Sequence, residues 1–359
     1  GRLARFCGAR FVHDEVIGIE PEKNQLLFAS RPPLRYDVLS IDTGSTPNMK
    51  AVPGAAQYSV PVKPISNFLT RWNALSERAL QSTGPLRIAV AGAGAGGVEM
   101  TLAAQFRLCS LRKAAGIDAP VTFDLFSGSD GLLPAFNHKA QTIFARVLQE
   151  RSIILHRGSK VIKVEARSIT LENGETFFAD EVLFVTDAAA PAWLHEGGLA
   201  TDPRGFVQVH ETLQSVSHAN VFAAGDVASV AAHPRPKAGV FAVRQGPPLA
   251  RNLLHALTGM PLLPYKPQKH FLSLVSTGDR YAVATRYGFT VSGAWIWHLK
   301  NWIDRRFMSR FNDLPRMVPG TIRKPAARLP SLDHVASDAM RCGGCGAKVG
   351  ADVLSQALR

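Results

Sequence analysis

The sequence predicts an α/β fold built on parallel sheets, and three short segments carry that prediction. Residues 86–100, LRIAVAGAGAGGVEM, read as an apolar strand, a glycine-rich turn and a helix that is expected to open at Val98. Residues 36–45 and 220–227 each read as an apolar strand that ends in glycine beside a short polar residue. Such strand ends are typical of the carboxyl edge of a parallel sheet, where ligands bind.

The glycines of the first segment follow the spacing Gly-x-Gly-x-x-Gly at Gly92, Gly94 and Gly97. Each glycine of this pattern has its own role. The first allows a tight turn, the second admits a pyrophosphate, and the third lets helix and strand pack closely. The helix N-terminus then offers N–H groups to the phosphates. We expect a dinucleotide site here, and an ordinary glycine-rich turn is the alternative.

Composition limits the class of protein. The chain has 359 residues, 46% of them hydrophobic, which predicts two or more globular domains. No apolar run is long enough to span a bilayer as a helix. Four cysteines in so long a chain do not form a disulfide framework, so a cytoplasmic location is expected. The chain begins without methionine at Gly1, in sequence that resembles the middle of a domain, so we expect a fragment.

The net charge of +13 raises the question of whether the chain binds nucleic acid, but the basic residues are scattered. The densest basic run lies within residues 300–328. A solvated face and linker is the favoured interpretation, and contact with a membrane surface or an anionic partner is the alternative. No nucleic-acid partner is predicted.

The remaining chain reads as alternating strands and helices. Strands and turns are predicted over residues 1–47; helices over 64–82, 98–111 and 137–150; strands over 121–126, 153–155, 161–166, 168–171 and 176–178; and a strand over 181–186 that returns to the first domain.

Two positions bear on ligand choice. A carboxylate after the second strand of a dinucleotide unit binds the adenosine ribose, but the corresponding residue here is Ser127. Asp124 lies inside the strand and Asp130 beyond it, so the choice between NADH and NADPH stays open. Asp226 can hydrogen-bond a sugar-alcohol hydroxyl or cap the next helix; its place after the other two segments favours the hydroxyl.

The ordered segments YDVLSIDTGS, VAGAGAGGVEM, VFAAGDVAS and GVFAVRQGPPLARNL resemble the pyridine-nucleotide flavoprotein oxidoreductases, in particular the type II NADH dehydrogenase-like branch. The resemblance covers residues 1–310 and implies two Rossmann-like domains, with an NAD(P)H domain inserted into an FAD domain whose own glycine motif is expected before Gly1. It assigns to FAD the residues Thr43, Gly44, Gly225 and Asp226 and, more loosely on the flavin and acceptor side, Lys237 and Gln245. It assigns to NAD(P)H the residues Gly92, Gly94, Gly97 and Glu99.

The resemblance also implies the redox chemistry. Disulfide reductases of this fold need a close cysteine pair, but Cys7 and Cys109 stand alone and are expected to be buried structural thiols. We therefore expect hydride transfer from the nicotinamide to the flavin, followed by electron transfer to a diffusible acceptor such as a quinone. No side chain is required as an acid or base.

Residues 263–311 are predicted to form a small α+β capping domain. Its helix carries Trp295, Leu299, Trp302, Ile303 and Phe307 at helical spacing. This stripe is expected to pack onto the flavin domains, and contact with a membrane surface is the alternative. Residues 312–338 are rich in proline and are predicted to be a linker.

The C-terminal residues resemble another family. The sequence Cys342-Gly-Gly-Cys345-Gly-Ala-Lys348 resembles the N-terminal active-site region of selenide, water dikinase (selenophosphate synthetase), which implies catalytic roles for Cys345 and Lys348. It also implies ATP, magnesium and selenide as ligands. A lysine three residues after a cysteine can lower the pKa of the thiol and contact phosphate. A zinc knuckle is the alternative, although a second cysteine pair is missing from the sequence.

The predicted organisation is FAD domain, first part, 1–81; NAD(P)H domain, 82–180; FAD domain, second part, 181–262; capping domain, 263–311; linker, 312–338; and start of the dikinase domain, 339–359. Two rival functions remain open: a degenerate flavin-binding docking module, and a membrane-surface NADH:quinone or sulfide:quinone reductase. Peripheral membrane contact and a homodimer also stay open.

Overall fold

The structure is a computed structural model, and it describes residues 1–63, 65–186 and 188–315. The predicted dikinase segment and nearly all of the predicted linker lie outside the described residues.

The helices, in chain order, are α1 Arg2–Phe6, α2 Ala55–Tyr58, α3 Ile65–Gln81, α4 Ala95–Ala114, α5 His138–Glu150, α6 Trp193–Glu196, α7 Gly239–Thr258 and α8 Ala294–Asn312. The strands are β1 Val16–Glu20, β2 Gln25–Phe28, β3 Leu34–Arg35, β4 Leu39–Ile41, β5 Thr46–Pro47, β6 Val60–Pro61, β7 Leu86–Ala91, β8 Val121–Phe126, β9 Ile154–His156, β10 Val161–Glu165, β11 Ser168–Leu171, β12 Thr176–Phe178, β13 Glu181–Phe184, β14 Ala188–Ala189, β15 Val207–Val209, β16 Val221–Ala223, β17 Ala228–Val230, β18 Ser273–Ser276, β19 Ala282–Arg286 and β20 Phe289–Gly293.

A five-stranded parallel sheet with the order β6-β13-β7-β8-β9 forms the centre of the molecule. Successive side chains of β7 enter different cores: Ile88 and Val90 pack with the helices, whereas Ala89 and Ala91 face the antiparallel strands β10–β12. This alternation follows from the two-residue period of a strand. The sheet is therefore covered on both faces, as parallel sheets require.

A second parallel pairing lies beside this sheet. Strand β4 pairs with β16, so that Ile41 lies opposite Ala223, and β15 pairs with β17. Their buried side chains share one core with Leu249 of α7. The chain passes between the two parallel regions twice, and the crossing strands β5 and β14 pair with each other.

The α/β fold with parallel sheets is confirmed, and several element predictions need correction. The strand predicted to return to the first domain, β13, pairs in parallel with β7 and belongs to the central sheet. Residues 2–6 form a short helix where strands and turns were predicted. Helix α4 begins at Ala95 and not at Val98, because Gly94 already occupies the N-cap position. Strand β20 was not predicted.

The capping strands β18–β20 pack mainly against the central unit. Val275 and Val283 are buried in the same core as the helices α3–α5. Arg151, after α5, donates a hydrogen bond of 2.7 Å to the carbonyl of Thr277 and forms an ion pair with Asp279 at 2.6 Å. The cap is thus held by both apolar and charged contacts.

The prediction that the stripe on α8 packs onto the protein is correct only in part. Leu299, Ile303 and Phe307 are half-buried, whereas Trp295 is 60% exposed and Trp302 is 55% exposed. The fully buried residue of this helix is Ile296, which packs with Ala282 and Ala284 of β19. The reason is helical geometry: the two tryptophans lie on the outer side of the stripe.

Candidate functional site

The glycine-rich turn lies between β7 and α4 and is shaped by close backbone contacts. A Cβ atom added at Gly97 would lie less than 3.0 Å from the carbonyl oxygen of Gly92, and one added at Gly92 would overlap the carbonyl of Val185. Gly92 also has a φ of +114°, which favours glycine. The close packing of β7, α4 and Val185, which follows β13, therefore requires glycine at the first and third positions.

Gly94 has a different environment. It is the N-cap of α4, it is exposed, and nothing lies within 4 Å of a Cβ added there. The first turn of an α-helix has N–H groups without intrahelical partners, and glycine has no side chain to cap them. This open helix terminus fits a pyrophosphate group, which is bound by such N–H groups and by the helix dipole.

Glu99 lies one turn into α4, and its carboxylate contacts residues of the capping strands and of α8. Its Oε1 accepts a hydrogen bond of 3.0 Å from the backbone N–H of Ser276, and the ammonium of Lys300 lies 4.0 Å away. Burial raises the pKa of Glu99, and these two groups oppose that effect. The carboxylate thus joins the central unit to the capping segment, whichever ligand role it has.

Ser127, immediately after β8, is 3% exposed. Its hydroxyl donates a hydrogen bond of 3.0 Å to the carbonyl of Gly131, so it stabilises the turn that follows the strand. Asp124 lies inside β8, as predicted, and its carboxylate contacts the Nε2 atom of His156 at 2.7 Å.

Asp226 follows β16, at the carboxyl end of that strand. Its Oδ2 accepts hydrogen bonds from the hydroxyl of Ser45 at 3.3 Å and from the ammonium of Lys63 at 3.2 Å. The carboxylate therefore points across the strand ends, in an orientation different from the helix cap considered as the alternative. Because Ser45 follows β4, the ends of the two paired strands are joined here.

Lys63 connects this site to the central sheet. It follows β6, which runs parallel to β13, so it leaves the carboxyl edge of the five-stranded sheet. Its ion pair with Asp226 therefore brings the carboxyl edges of both parallel regions together. Ligands of open α/β sheets bind outside such edges.

Gly225 and Gln245 fix the position of the turn before Asp226. The backbone N–H of Gly225 donates a hydrogen bond of 2.6 Å to Oε1 of Gln245, which is buried on α7. Gly225 has a φ of +71°, and a Cβ added there would overlap the carboxylate of Asp42. Partial burial, followed by the negative charge of Asp226, raises the pKa of Asp42.

Lys237 lies beside the same turn. Its ammonium donates a hydrogen bond of 2.7 Å to the carbonyl of Ala228 and lies 3.8 Å from the ring centre of Phe206. Burial lowers its pKa to about 8. Lys237, Gln245, Gly225 and Asp226 all line one cavity of about 170 Å³. The structure thus brings together the predicted residues on this side of the site.

The residues of the 42–45 turn are divided between the surface and the site. Thr43 is exposed, and Gly44 is half-buried with a φ of +72° and open space around it. Neither makes the contact to Asp226, which comes from Ser45. Sequence reasoning assigned no role to Asp42, Ser45 or Lys63; Asp42 and Ser45 flank the predicted glycine, but nothing local in the sequence points to Lys63.

The thiol prediction is wrong for Cys7, which is exposed, and Cys109 is only partly buried; in the described chain neither forms a disulfide. Burial raises the pKa of Cys109, so this thiol is less reactive than usual. Within the described residues, acidic, histidine and cysteine side chains do not assemble into a metal site. The helices described are also too short or too polar to cross a membrane. The candidate residues Cys342, Cys345 and Lys348 lie outside the described part of the chain.

Comparison with known proteins agrees with this architecture. The family model described as pyridine nucleotide-disulphide oxidoreductase matches residues 7–246. An NADH dehydrogenase-like protein of Mycobacterium tuberculosis is 26% identical over 292 residues, which cover 78% of this chain and 70% of that protein. The demethylphylloquinone reductase NdbB of Synechocystis is 24% identical over 298 residues, covering 80% of this chain and 71% of that protein.

Among solved structures, the sulfide:quinone oxidoreductase of Aquifex aeolicus superposes with a TM-score of 0.67 at 18% identity, covering 85% of this chain and 76% of its own. NDH2 of Plasmodium falciparum, in complex with NADH, gives a TM-score of 0.66 at 15% identity, covering 84% and 82%. At these identities the two structures are evidence of fold.

Proposed function

Because the chain belongs to the pyridine nucleotide-disulphide oxidoreductase family, we propose that it is an FAD-dependent NAD(P)H oxidoreductase of the NADH dehydrogenase-like branch. The observation that carries this proposal is the contact between Lys63 and Asp226, at which the carboxyl edges of two parallel regions meet. Two cofactors bound at two such edges can approach each other at this point.

The glycine-rich turn is proposed to hold the nicotinamide nucleotide. The open N-terminus of α4 at Gly94 would bind the pyrophosphate, and the close contact of Gly97 with Gly92 keeps the helix near the strand. Glu99 and Ser276 would orient the nucleotide from the cap side of this helix. These residues bind and position; none of them needs to transfer a proton.

The edge at Gly225 and Asp226 is proposed to hold FAD. The carboxylate of Asp226 can accept a hydrogen bond from a sugar-alcohol hydroxyl, and Gln245 keeps the turn in place. Lys237 lines the cavity, and its positive charge favours negatively charged groups bound there. FAD, when bound, supplies the hydride-accepting chemistry and passes electrons to a second acceptor.

An FAD titration of the full-length protein tests this assignment. Asp226→Ala should weaken FAD binding about tenfold, because a hydrogen bond to a charged group is lost. Asp118→Ala, a change at an exposed residue, is the matched control and should leave binding unchanged. Equal FAD affinity in all three proteins would contradict the flavin role of Asp226, and the absence of FAD binding in every protein would contradict the flavoprotein proposal.

A quinone is the proposed electron acceptor, since one relative is a demethylphylloquinone reductase and a structural neighbour is a sulfide:quinone oxidoreductase. The exposed Trp295 and Trp302 on α8, together with Arg305 and Arg306, favour quinone reduction at a membrane surface. Binding to vesicles with anionic lipid should fall when both tryptophans are changed to serine. Unchanged vesicle binding would favour a freely diffusing acceptor.

For the C-terminal segment, we propose that the chain is fused to a selenide, water dikinase. The support is the sequence: Cys345 and Lys348 match the Cys-x-x-Lys spacing of that family. Cys345→Ser in the full natural protein should abolish formation of selenophosphate from selenide and ATP with magnesium, while flavin reduction continues. Lys348→Ala should cripple the same activity, because phosphoryl transfer depends on positive charge near the transferred group.

Two results would contradict the fusion. The first is a parent protein that forms no selenophosphate; full activity in both variants would instead contradict the catalytic roles of Cys345 and Lys348. The second is stoichiometric zinc that is lost in Cys342→Ser, which would identify a zinc knuckle.

A further inference from the structure

The carboxyl ends of β8 and β9 form a further part of the nucleotide-binding edge. These strands are parallel neighbours with Phe126 opposite His156, so Ser127 and Arg157 leave the sheet side by side. The backbone N–H of Gly92 donates a hydrogen bond of 2.9 Å to the carbonyl of Phe126. The end of β8 therefore directly adjoins the glycine-rich turn.

The acidic side chains near this edge have other positions or partners. Ser127 stands where a ribose-binding carboxylate is expected, and Asp124 is bonded to His156. Asp130 lies beyond the turn, with its Oδ1 only 3.2 Å from a Cβ added at Gly158. The carboxylate that normally favours NADH through the ribose hydroxyls is thus replaced by a hydroxyl that bonds within the protein.

Two basic side chains flank the turn at Gly128 and Ser129. Arg157 is exposed and uses one nitrogen, Nη1, to donate a hydrogen bond of 3.1 Å to the carbonyl of Asp130. A guanidinium group has five N–H donors, so further donors remain for a ligand. The stem of Lys160 lies where a Cβ at Gly128 would contact it at 3.5 Å.

The other charges near these cations are weak competitors. The ammonium of Lys160 lies 3.8 Å from the carboxylate of Glu172, and both side chains are more than 60% exposed. Exposed ion pairs of this kind contribute little energy, so a doubly charged phosphate can displace Glu172. Ser129, exposed in the turn, adds a hydroxyl, which lies 3.3 Å from the Ser127 hydroxyl and 3.4 Å from the Gly131 carbonyl and can rotate toward a bound phosphate.

We infer that this edge selects NADPH over NADH by binding the 2′-phosphate of the adenosine ribose with Arg157, assisted by Lys160 and Ser129. The inference rests on the proposed nucleotide role of the glycine-rich turn and adds the choice of nucleotide. Arginine matches the geometry of phosphate with paired N–H donors, and an arginine near the second strand is the known substitute for the ribose carboxylate.

Equilibrium titration of the chain with NADPH and NADH, followed by nucleotide fluorescence, tests the inference without any flavin. NADPH should bind about tenfold more tightly than NADH, and Arg157→Ala should remove about that factor, as expected for a charge-assisted hydrogen bond. NADH affinity should stay unchanged in this variant. Lys160→Ala should also weaken NADPH binding selectively, but by a smaller factor than Arg157→Ala, since the ammonium of lysine is a point charge.

The controls separate two kinds of failure. Arg146→Ala removes an exposed arginine of α5 that lies in an i,i+4 pair with Glu150 and should affect neither nucleotide. Adenosine 2′,5′-bisphosphate should displace NADPH from the parent protein better than 5′-AMP does, and this advantage should vanish in Arg157→Ala. Equal affinity for both nucleotides, or equal weakening of both by Arg157→Ala, would overturn the inference alone. If neither nucleotide binds, the proposed function is overturned instead.

Discussion

The glycine-rich turn and the Asp226 edge, two regions of the same molecule, differ in where their parts come from. All the glycines of the turn lie within six consecutive residues, and their constraints act on the strand and helix that flank them. Asp226, by contrast, is held by Ser45, which is 181 residues away in the chain, and by Lys63. A phosphate-binding turn is therefore encoded locally, whereas a site at the edge of two sheets is assembled by the topology of the chain.

The largest effect on stability is expected from a substitution in the glycine-rich turn. Gly97→Ala would force Cβ against the carbonyl oxygen of Gly92 and push α4 away from β7. We expect a loss of about 3 kcal/mol or more in the free energy of unfolding, as for severe overpacking. Urea denaturation followed by circular dichroism measures it.

Gly94→Ala is the matched control for that change. Space around Gly94 is open, so the loss of stability should not exceed about 1 kcal/mol, the scale of an N-cap change. Nucleotide affinity should nevertheless fall, because the new methyl group lies where the pyrophosphate would approach. Equal destabilisation by both changes would contradict the separate roles of the two glycines.

A smaller effect on stability is expected at the strand ends around Gly225 and Asp226. Gly225 and Gly44 have nearly equal φ values, +71° and +72°, but only Gly225 faces another group, the carboxylate of Asp42. Gly44→Ala should cost about 1 kcal/mol from backbone strain alone. Gly225→Ala should cost about 1 kcal/mol more, because the exposed Asp42 side chain must turn away from the added methyl group. If the two variants unfold at the same urea concentration, the close approach of Asp42 to Gly225 does not affect the free energy of unfolding.

The smallest effect is a pH dependence at Lys237, whose pKa falls from 10.5 to about 8 on folding. Between these values the unfolded chain binds more protons than the folded one, so stability rises with pH from about 8 to 10.5. Below pH 8 both states are protonated and the penalty of the buried ammonium is present in full.

Lys237→Met isolates this effect. The melting temperature of the parent protein should gain on that of the variant as pH rises through this window, and scanning calorimetry at several pH values measures the difference. Lys139→Met, at an exposed lysine of α5, should keep a constant difference from the parent. A constant difference for Lys237→Met as well would mean that burial does not alter this lysine.

The sequence predicts the local elements closely because strand periodicity and glycine spacing act over a few residues. Strand β8 and the hairpin strands β11 and β12 lie at the predicted residues. The start of α4 was misplaced because Gly97 was taken as part of the turn, whereas it lies within the first helical turn, packed against Gly92.

The errors at longer range have a different origin. Strand β13 was assigned away from the central sheet because pairing partners are not encoded in a strand's own residues. Lys63 escaped notice for the same reason, since only the crossing of the chain after β6 brings it to Asp226. The exposure of Trp295 and Trp302 depends on which side of α8 meets the cap sheet, which the spacing of apolar residues did not decide.

Anaerobic rapid mixing of the FAD-reconstituted protein with NADPH or NADH tests whether two cofactor edges meet at Lys63 and Asp226. We expect the absorbance of oxidised flavin to be bleached in a step that depends on nucleotide concentration, and we expect Gly94→Val, which fills the pyrophosphate position, to slow this step strongly. Bound FAD that neither nucleotide bleaches would contradict this arrangement of the two cofactors.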